Sequence, residues 1–148
     1  MNKYFSFLVV GIFILFFLSL RSFYTEPLAN VHGVEIAGRN IKVDFVNTKE
    51  AQARGLSGRS GLKEDEGMLF VFNKNGIYTF WMKDMNFPID IIWIGQDMKV
   101  AYIKKDARPE LYPEAYGAGI YARYVLEVSS GFSEKNNLKE GDTVKFMY

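Results

Sequence analysis

Three acids stand where a strand pattern gives no reason for charge. Asp90 interrupts Ile89-Asp90-Ile91-Ile92-Trp93-Ile94, Glu127 interrupts Tyr124-Val125-Leu126-Glu127-Val128, and Asp84 follows Trp81-Met82-Lys83 at the end of another apolar run. Asp and Glu are almost never fully buried without partners, so each needs a cation within the fold or a ligand. The cations at hand are Lys83 and Arg123 beside these runs and Arg54 and Arg59 beside a short helix. As buried ion pairs, Asp90 or Glu127 would meet Arg59 and brace the fold, since an unpaired buried charge is strongly destabilising. As a site, Arg59, Trp81, Lys83, Asp84, Asp90 and Glu127 would converge on a cleft and hold a small polar or glycan-like ligand, with Trp81 offering an aromatic face next to charge. Two of the carboxyls facing each other across a groove, at about 5 Å or about 6.5–9.5 Å, would instead be the acid and base of a hydrolase acting on envelope sugars.

Other chemistry is excluded by the residues that are missing. His32 is the single histidine and precedes the patterned domain, which removes a histidine zinc site and a Ser-His-Asp relay. Cysteine is absent, and with it any thiol nucleophile, thiolate metal site or disulfide. No Gly-x-Gly-x-x-Gly or Walker pattern occurs, and Gly55-Leu56-Ser57-Gly58 lacks the spacing of a nucleophile elbow. Asp84, Asp90 and Glu127 could equally hold Ca²⁺, but no Asp-x-Asp-x-Asp loop marks such a site, and no cofactor or metal is expected. Residues 30–148 carry 16 Lys+Arg and 16 Asp+Glu, so this part of the chain has zero formal charge and no basic stripe for nucleic acid.

The elements that must position these residues are short strands. Val34 and Ile36, then Ile41, Val43 and Phe45 alternating with Lys42 and Asp44, have the period of half-buried strands. Asn47 with Glu50 three residues on predicts a capped helix through Ala51 and Ala53, ended by Gly55 and Gly58. Met68–Phe72 and Ile77–Met82 flank Asn75-Gly76, which predicts a hairpin. Ile89–Ile94 and Met98–Ile103 flank Gly95-Gln96-Asp97 and predict a second hairpin. Alternation in the first of these segments puts Asp90 on a face with Ile92 and Ile94, and Ile89, Ile91 and Trp93 on the other. From Lys104 to Arg123 the pattern dissolves into a long connection; Tyr112, Tyr116, Tyr121 and Tyr124, on or beside it, are candidates with Trp81 for a ligand groove. Phe70, Phe72, Phe80 and Trp93 suit a core, and Met82 and Met85 suit flexible filler. Strands at Tyr124–Val128 and Thr143–Phe146, with a helical turn within residues 131–137, complete a mainly β domain over 34–148, a sandwich or squashed barrel with one short helix.

Ahead of it, Tyr4–Leu20 is free of charge and ends at Arg21. Those residues span about 25 Å as a helix, and Phe23 and Tyr24 extend the apolar stretch toward an interface. Residues 1–24 are expected to be a transmembrane signal anchor or a signal peptide cleaved on export, and residues 25–33 a linker. Either reading places the domain outside the cytoplasm, held to the membrane by its N-terminal helix in the first case and released in the second.

Taken together, Gly55-Leu-Ser-Gly-Arg59, Gly67-Met-Leu-Phe70, Trp81-Met-Lys-Asp84, Pro88-Ile-Asp90-Ile, Tyr124-Val-Leu-Glu127 and Gly141-Asp142 resemble the motifs of the family called domain of unknown function 192. The resemblance runs from about Val34 to Phe146. It implies a compact jelly-roll-like β domain, often exported or membrane-tethered, with no established reaction. It places Arg59, Trp81, Lys83, Asp90 and Glu127 on motif positions, and it departs at Asp84, where the family usually has Asn. Three functions remain open: a non-enzymatic ligand site, a carboxylate hydrolase, and a structural or interaction domain of the cell envelope.

Overall fold

The computed structural model describes residues 31–148. The expected signal segment and all but the end of the expected linker lie outside them. Among the described residues no helix is long and apolar enough to cross a membrane. The domain is mainly β. Its strands are β1 Gly33–Ile36, β2 Arg39–Val46, β3 Glu66–Ile77, β4 Phe80–Trp81, β5 Ile89–Ile94, β6 Val100–Ala107, β7 Ala115–Tyr116, β8 Tyr121–Ser129 and β9 Val144–Met147, with helices α1 Lys49–Arg54 and α2 Phe132–Lys135.

Seven strands form one sheet in the order β6-β5-β8-β3-β2-β1-β9, while β4 pairs with β7 alone. The sheet curls into a half-barrel until its edges meet at one corner, where the Val100 amide donates to Asp142 O (2.9 Å) and the Val144 amide to Met98 O (2.8 Å). Strands β2 and β3 are parallel neighbours, and parallel neighbours need a crossover. Here α1 and the segment after it are that crossover, and they carry the Gly55–Arg59 motif back across the sheet.

Both faces of the sheet are covered, which explains why β5 is apolar on both faces apart from Asp90 and why all six of its residues are buried. Ile92 and Ile94 join Val34, Ile41, Leu69, Leu126 and Val144 on one face. Ile89, Ile91 and Trp93 join Met68, Phe70, Met82 and Val125 on the other. The alternation read from the sequence is therefore the one observed. At the edge of this second cluster Gly117 lies at φ 83°, and a Cβ built there would come within 2.5 Å of the Trp93 ring. Only glycine satisfies both conditions.

Two local expectations are corrected. The cap of α1 is Thr48, whose Oγ1 accepts the Ala51 amide (3.2 Å); Asn47 lies one residue too early for that bond. The Asn75-Gly76 hairpin does not form. Gly76 is not among the residues with positive φ, which a two-residue hairpin turn of that type requires. Instead β3 bulges after Val71, opposite Tyr124, and resumes its ladder at Gly76, opposite Ala122. Tyr78 closes the bulge by stacking on Phe72 (3.5 Å between centroids, 7°) and donating its hydroxyl to Lys74 O. The other expected hairpin, β5 to β6, is present.

Candidate functional site

Asp90 and Glu127 sit on adjacent strands one residue out of step: Asp90 faces Val128 and Ile91 faces Glu127. Their side chains therefore leave the sheet on opposite faces, and the two acids do different things.

Asp90 is fully buried, and it has partners. Its Oδ1 accepts the amides of Asp106 (2.9 Å) and Gly131 (3.2 Å), and its Oδ2 accepts the amide of Ser133 (2.8 Å). It ties the end of β6 to the first turn of α2. Among the described residues no cation pairs with it, so the expected pairing with Arg59 is corrected: backbone amides supply the partners that a buried carboxyl requires.

Glu127 is also buried, and its Oε2 has no hydrogen-bond partner. It belongs to a row that crosses the sheet as Asp44, Met68, Glu127, Ile91 and Lys104, each paired with the next. Arg59 is held over the start of that row by a 2.7 Å bond from its guanidinium to Asp44 Oδ2. Loss of solvation pushes the Glu127 carboxyl up to about 8, and the Arg59 charge offsets this only in part. Glu127 is thus mostly protonated at neutral pH, a neutral group able to donate as well as accept.

Above Glu127 lies a cavity of about 420 Å³, within the size range of small-molecule sites. Phe70, Phe72, Tyr78, Phe80 and Trp81 supply aromatic walls, and Gln52, Ser57 and Thr79 supply polar groups. Arg54 and Lys83 bring positive charge, and both are exposed. Neither makes an ion pair with any described residue, whereas Arg59 does. Glu127 is the one acid among the lining residues. Phe80 stands edge-on to both Phe70 (4.8 Å) and Trp93 (5.7 Å), so the walls are locked into the core behind them. Trp81 differs from the rest, with 57% of its surface exposed.

Two sequence motifs build the mouth of this cavity together. The Gly58 amide donates to Asp84 O (2.9 Å), the Ser57 hydroxyl to Lys83 O (3.0 Å) and the Asn86 side-chain amide to Arg59 O (2.8 Å). Gly55 makes the turn out of α1 at φ 52° and rests on the Phe70 ring. Gln52, from α1, donates to Val71 O (2.8 Å) and fixes the helix on β3.

Of the expected site residues, Trp81, Lys83 and Glu127 line the cavity together. Arg59 lies beside it and acts on Glu127 through its charge. Asp84 is exposed and does not line it. With φ at 56°, Asp84 occupies the left-handed region in which Asn and Asp are the favoured non-glycine residues. That requirement is met equally by the Asn usual in the family. Asp90 lies on the far face. The four tyrosines from the 104–124 region lie elsewhere: Tyr116 and Tyr124 are packed inward, while Tyr112 and Tyr121 are exposed away from the lining. Gln52, Ser57 and Asn86 were not singled out as site residues; Ser57 and Asn86 fall within or beside the two motifs that now prove to be bonded to each other. Among the described residues no cluster of three or more His, Asp or Glu is placed to hold a metal ion.

The chain belongs to the domain of unknown function 192 family, described as "Uncharacterized ACR", whose model matches residues 32–146. Among solved structures it is similar to a protein of unknown function from Novosphingobium aromaticivorans, with 30% identity and a TM-score of 0.73 over 82% of this chain and 90% of that one. It also shares its fold with a Sinorhizobium meliloti protein described as a proposed transcription regulator, at 24% identity and a TM-score of 0.71 over 77% of this chain and 90% of that one. No curated protein matches the chain.

Proposed function

We propose that this protein is a membrane-tethered, extracytoplasmic domain that binds a small polar or glycan-like ligand without chemical conversion. The observation that carries the reading is Glu127, a buried carboxyl with one oxygen lacking any partner at the floor of an aromatic-walled cavity. A buried polar atom without a bond is costly, and natural folds retain few of them. Glu127 keeps 5% of its surface exposed, and a turn of the carboxyl toward the cavity would let a ligand hydroxyl or amide supply the missing bond. Non-enzymatic binding fits a lining with a single acid, because glycoside hydrolysis by paired carboxyls needs two. The tether rests on the uncharged run Tyr4–Leu20.

The test is a thermal-shift screen of the full chain in detergent against sugars, peptides and nucleotides, repeated with Glu127→Leu, which removes both donor and acceptor, and Trp81→Ala. At least one compound is expected to raise the melting temperature of the wild type and to lose that effect in both variants. A screen in which no compound does so would sink the reading.

A further inference from the structure

We infer that the ligand is an acidic sugar, its ring against Trp81, its hydroxyls on Glu127, and its carboxylate at the mouth beside Lys83 and Arg54. The inference rests on the ligand-binding reading above and adds the charge and class of the ligand.

The lining itself argues for both. Aromatic side chains present flat apolar faces on which the C–H face of a sugar ring packs, and Trp81 is the exposed one of the five. Polar groups are few and dispersed: Gln52, Ser57 and Thr79 on the walls and Glu127 beneath them. A polyhydroxylated ring matches that dispersion better than a ligand with one polar end. As for charge, the lining holds two cations, Arg54 and Lys83, against one acid. Neither cation is among those paired with a described carboxylate; what distinguishes these two from other unpaired cations is that they line the cavity. An amine ligand would have to pass both. A neutral sugar would leave both unused.

Glu127 does not oppose an anion. Its burial keeps the carboxyl protonated through neutral pH, so it presents a neutral donor and acceptor at the floor. A sugar with its charge at the mouth and its hydroxyls inward therefore meets attraction at the rim and hydrogen bonds below, with no like charge in its path.

Titration of the full chain in detergent micelles with glucuronic acid, glucose and glucosamine at pH 7, followed by tryptophan fluorescence, tests this. Trp93 is sealed in the core and bonded to Tyr78 O, so a change on binding reports Trp81. Glucuronic acid is expected to bind about tenfold more tightly than glucose, a difference of about 1.4 kcal/mol, with glucosamine weakest. Replacing both Lys83 and Arg54 by Ala should bring glucuronic acid to the level of glucose. Glu127→Leu, which leaves neither donor nor acceptor at the floor, should weaken all three sugars by a similar factor and keep their order.

Equal binding of glucose and glucuronic acid, a preference that survives the double variant, or tightest binding of glucosamine would each overturn the inference. If none of the three binds while another compound of the screen shifts the wild type but not Glu127→Leu, the acidic sugar fails and the binding site stands. If no compound does so, both fail.

Discussion

Ile91 and Glu127 face each other across β5 and β8, which leaves Asp90, the next residue along, directed through the sheet to the other side. That offset of one position puts a brace on one face and the carboxyl lining the cavity on the other. Asp90 holds three backbone amides that would otherwise lack partners at the β6–α2 corner. Asp90→Ala is expected to destabilise the domain by about 3–5 kcal/mol, because it removes bonds to a buried carboxyl and leaves at least the buried Ser133 amide unsatisfied. Asp90→Asn, with one acceptor oxygen in place of two, should cost less than the Ala variant. Urea denaturation of the three proteins measures this, and an unchanged midpoint for Asp90→Ala would refute the bracing role.

Glu127 predicts a pH dependence of the opposite kind to that of most carboxyls. Its folded value, about 8, is raised above the ordinary 4.5, so between those values the folded state binds more protons than the unfolded one. Stability from this group is then full below about pH 4.5, falls by up to about 1.4 kcal/mol per pH unit as the pH rises, and is lost above about pH 8. The difference in unfolding free energy between wild type and Glu127→Gln isolates the effect from other titrations. It should move in favour of the Gln variant by several kcal/mol from pH 5 to pH 8. A pH-independent difference would mean that Glu127 ionises normally in the folded domain.

Much of the fold was legible because its strands obey simple periods. Alternation gave the two faces of β5, and the Gly95-Gln96-Asp97 turn gave its pairing with β6. The hairpin at Asn75-Gly76 misled because turn propensity is local, whereas β8 offers residues 76–77 a partner once the bulge is closed by Tyr78 on Phe72. The site was half legible. Trp81, Lys83 and Glu127 stood out as charge or aromatic surface at odds with their runs, and they do share a cavity. Asp90 gave the same signal in sequence, since a buried acid looks alike whether amides or a ligand complete it. What separates the two is the register between β5 and β8 and the position of α2, and neither can be read from one strand's pattern.

The third prediction concerns Asp84, which holds φ 56° and offers its carbonyl to Gly58. A left-handed conformation costs most L-residues about 1–2 kcal/mol and glycine nothing. Asp84→Gly should therefore be neutral or stabilising, Asp84→Asn close to neutral, and Asp84→Val destabilising by about 1–2 kcal/mol. None should alter the response to a cavity ligand beyond the stability change itself. Thermal melts with and without the best compound of the screen check both halves, and a ligand response lost in Asp84→Asn would return this residue to the site.

The two tryptophans should separate stability from binding. Trp93 is sealed, donates its indole N–H to Tyr78 O at 2.8 Å, and packs edge-on to Phe80. Its replacement by Ala should cost about 3–5 kcal/mol, the range for large aromatic core residues. Gly117→Ala attacks the same ring from outside, placing a methyl 2.5 Å from it in a left-handed backbone; overpacking and conformational strain together predict a loss of about 2–4 kcal/mol. Trp81→Ala, by contrast, removes a side chain that is 57% exposed, and its cost should stay at about 2 kcal/mol because only about 100 Å² of the ring is covered. It should nevertheless abolish the ligand-induced rise in melting temperature and the fluorescence response. A Trp81→Ala protein that melts far below the wild type would make that ring part of the core, and one that still binds would remove it from the cavity's function.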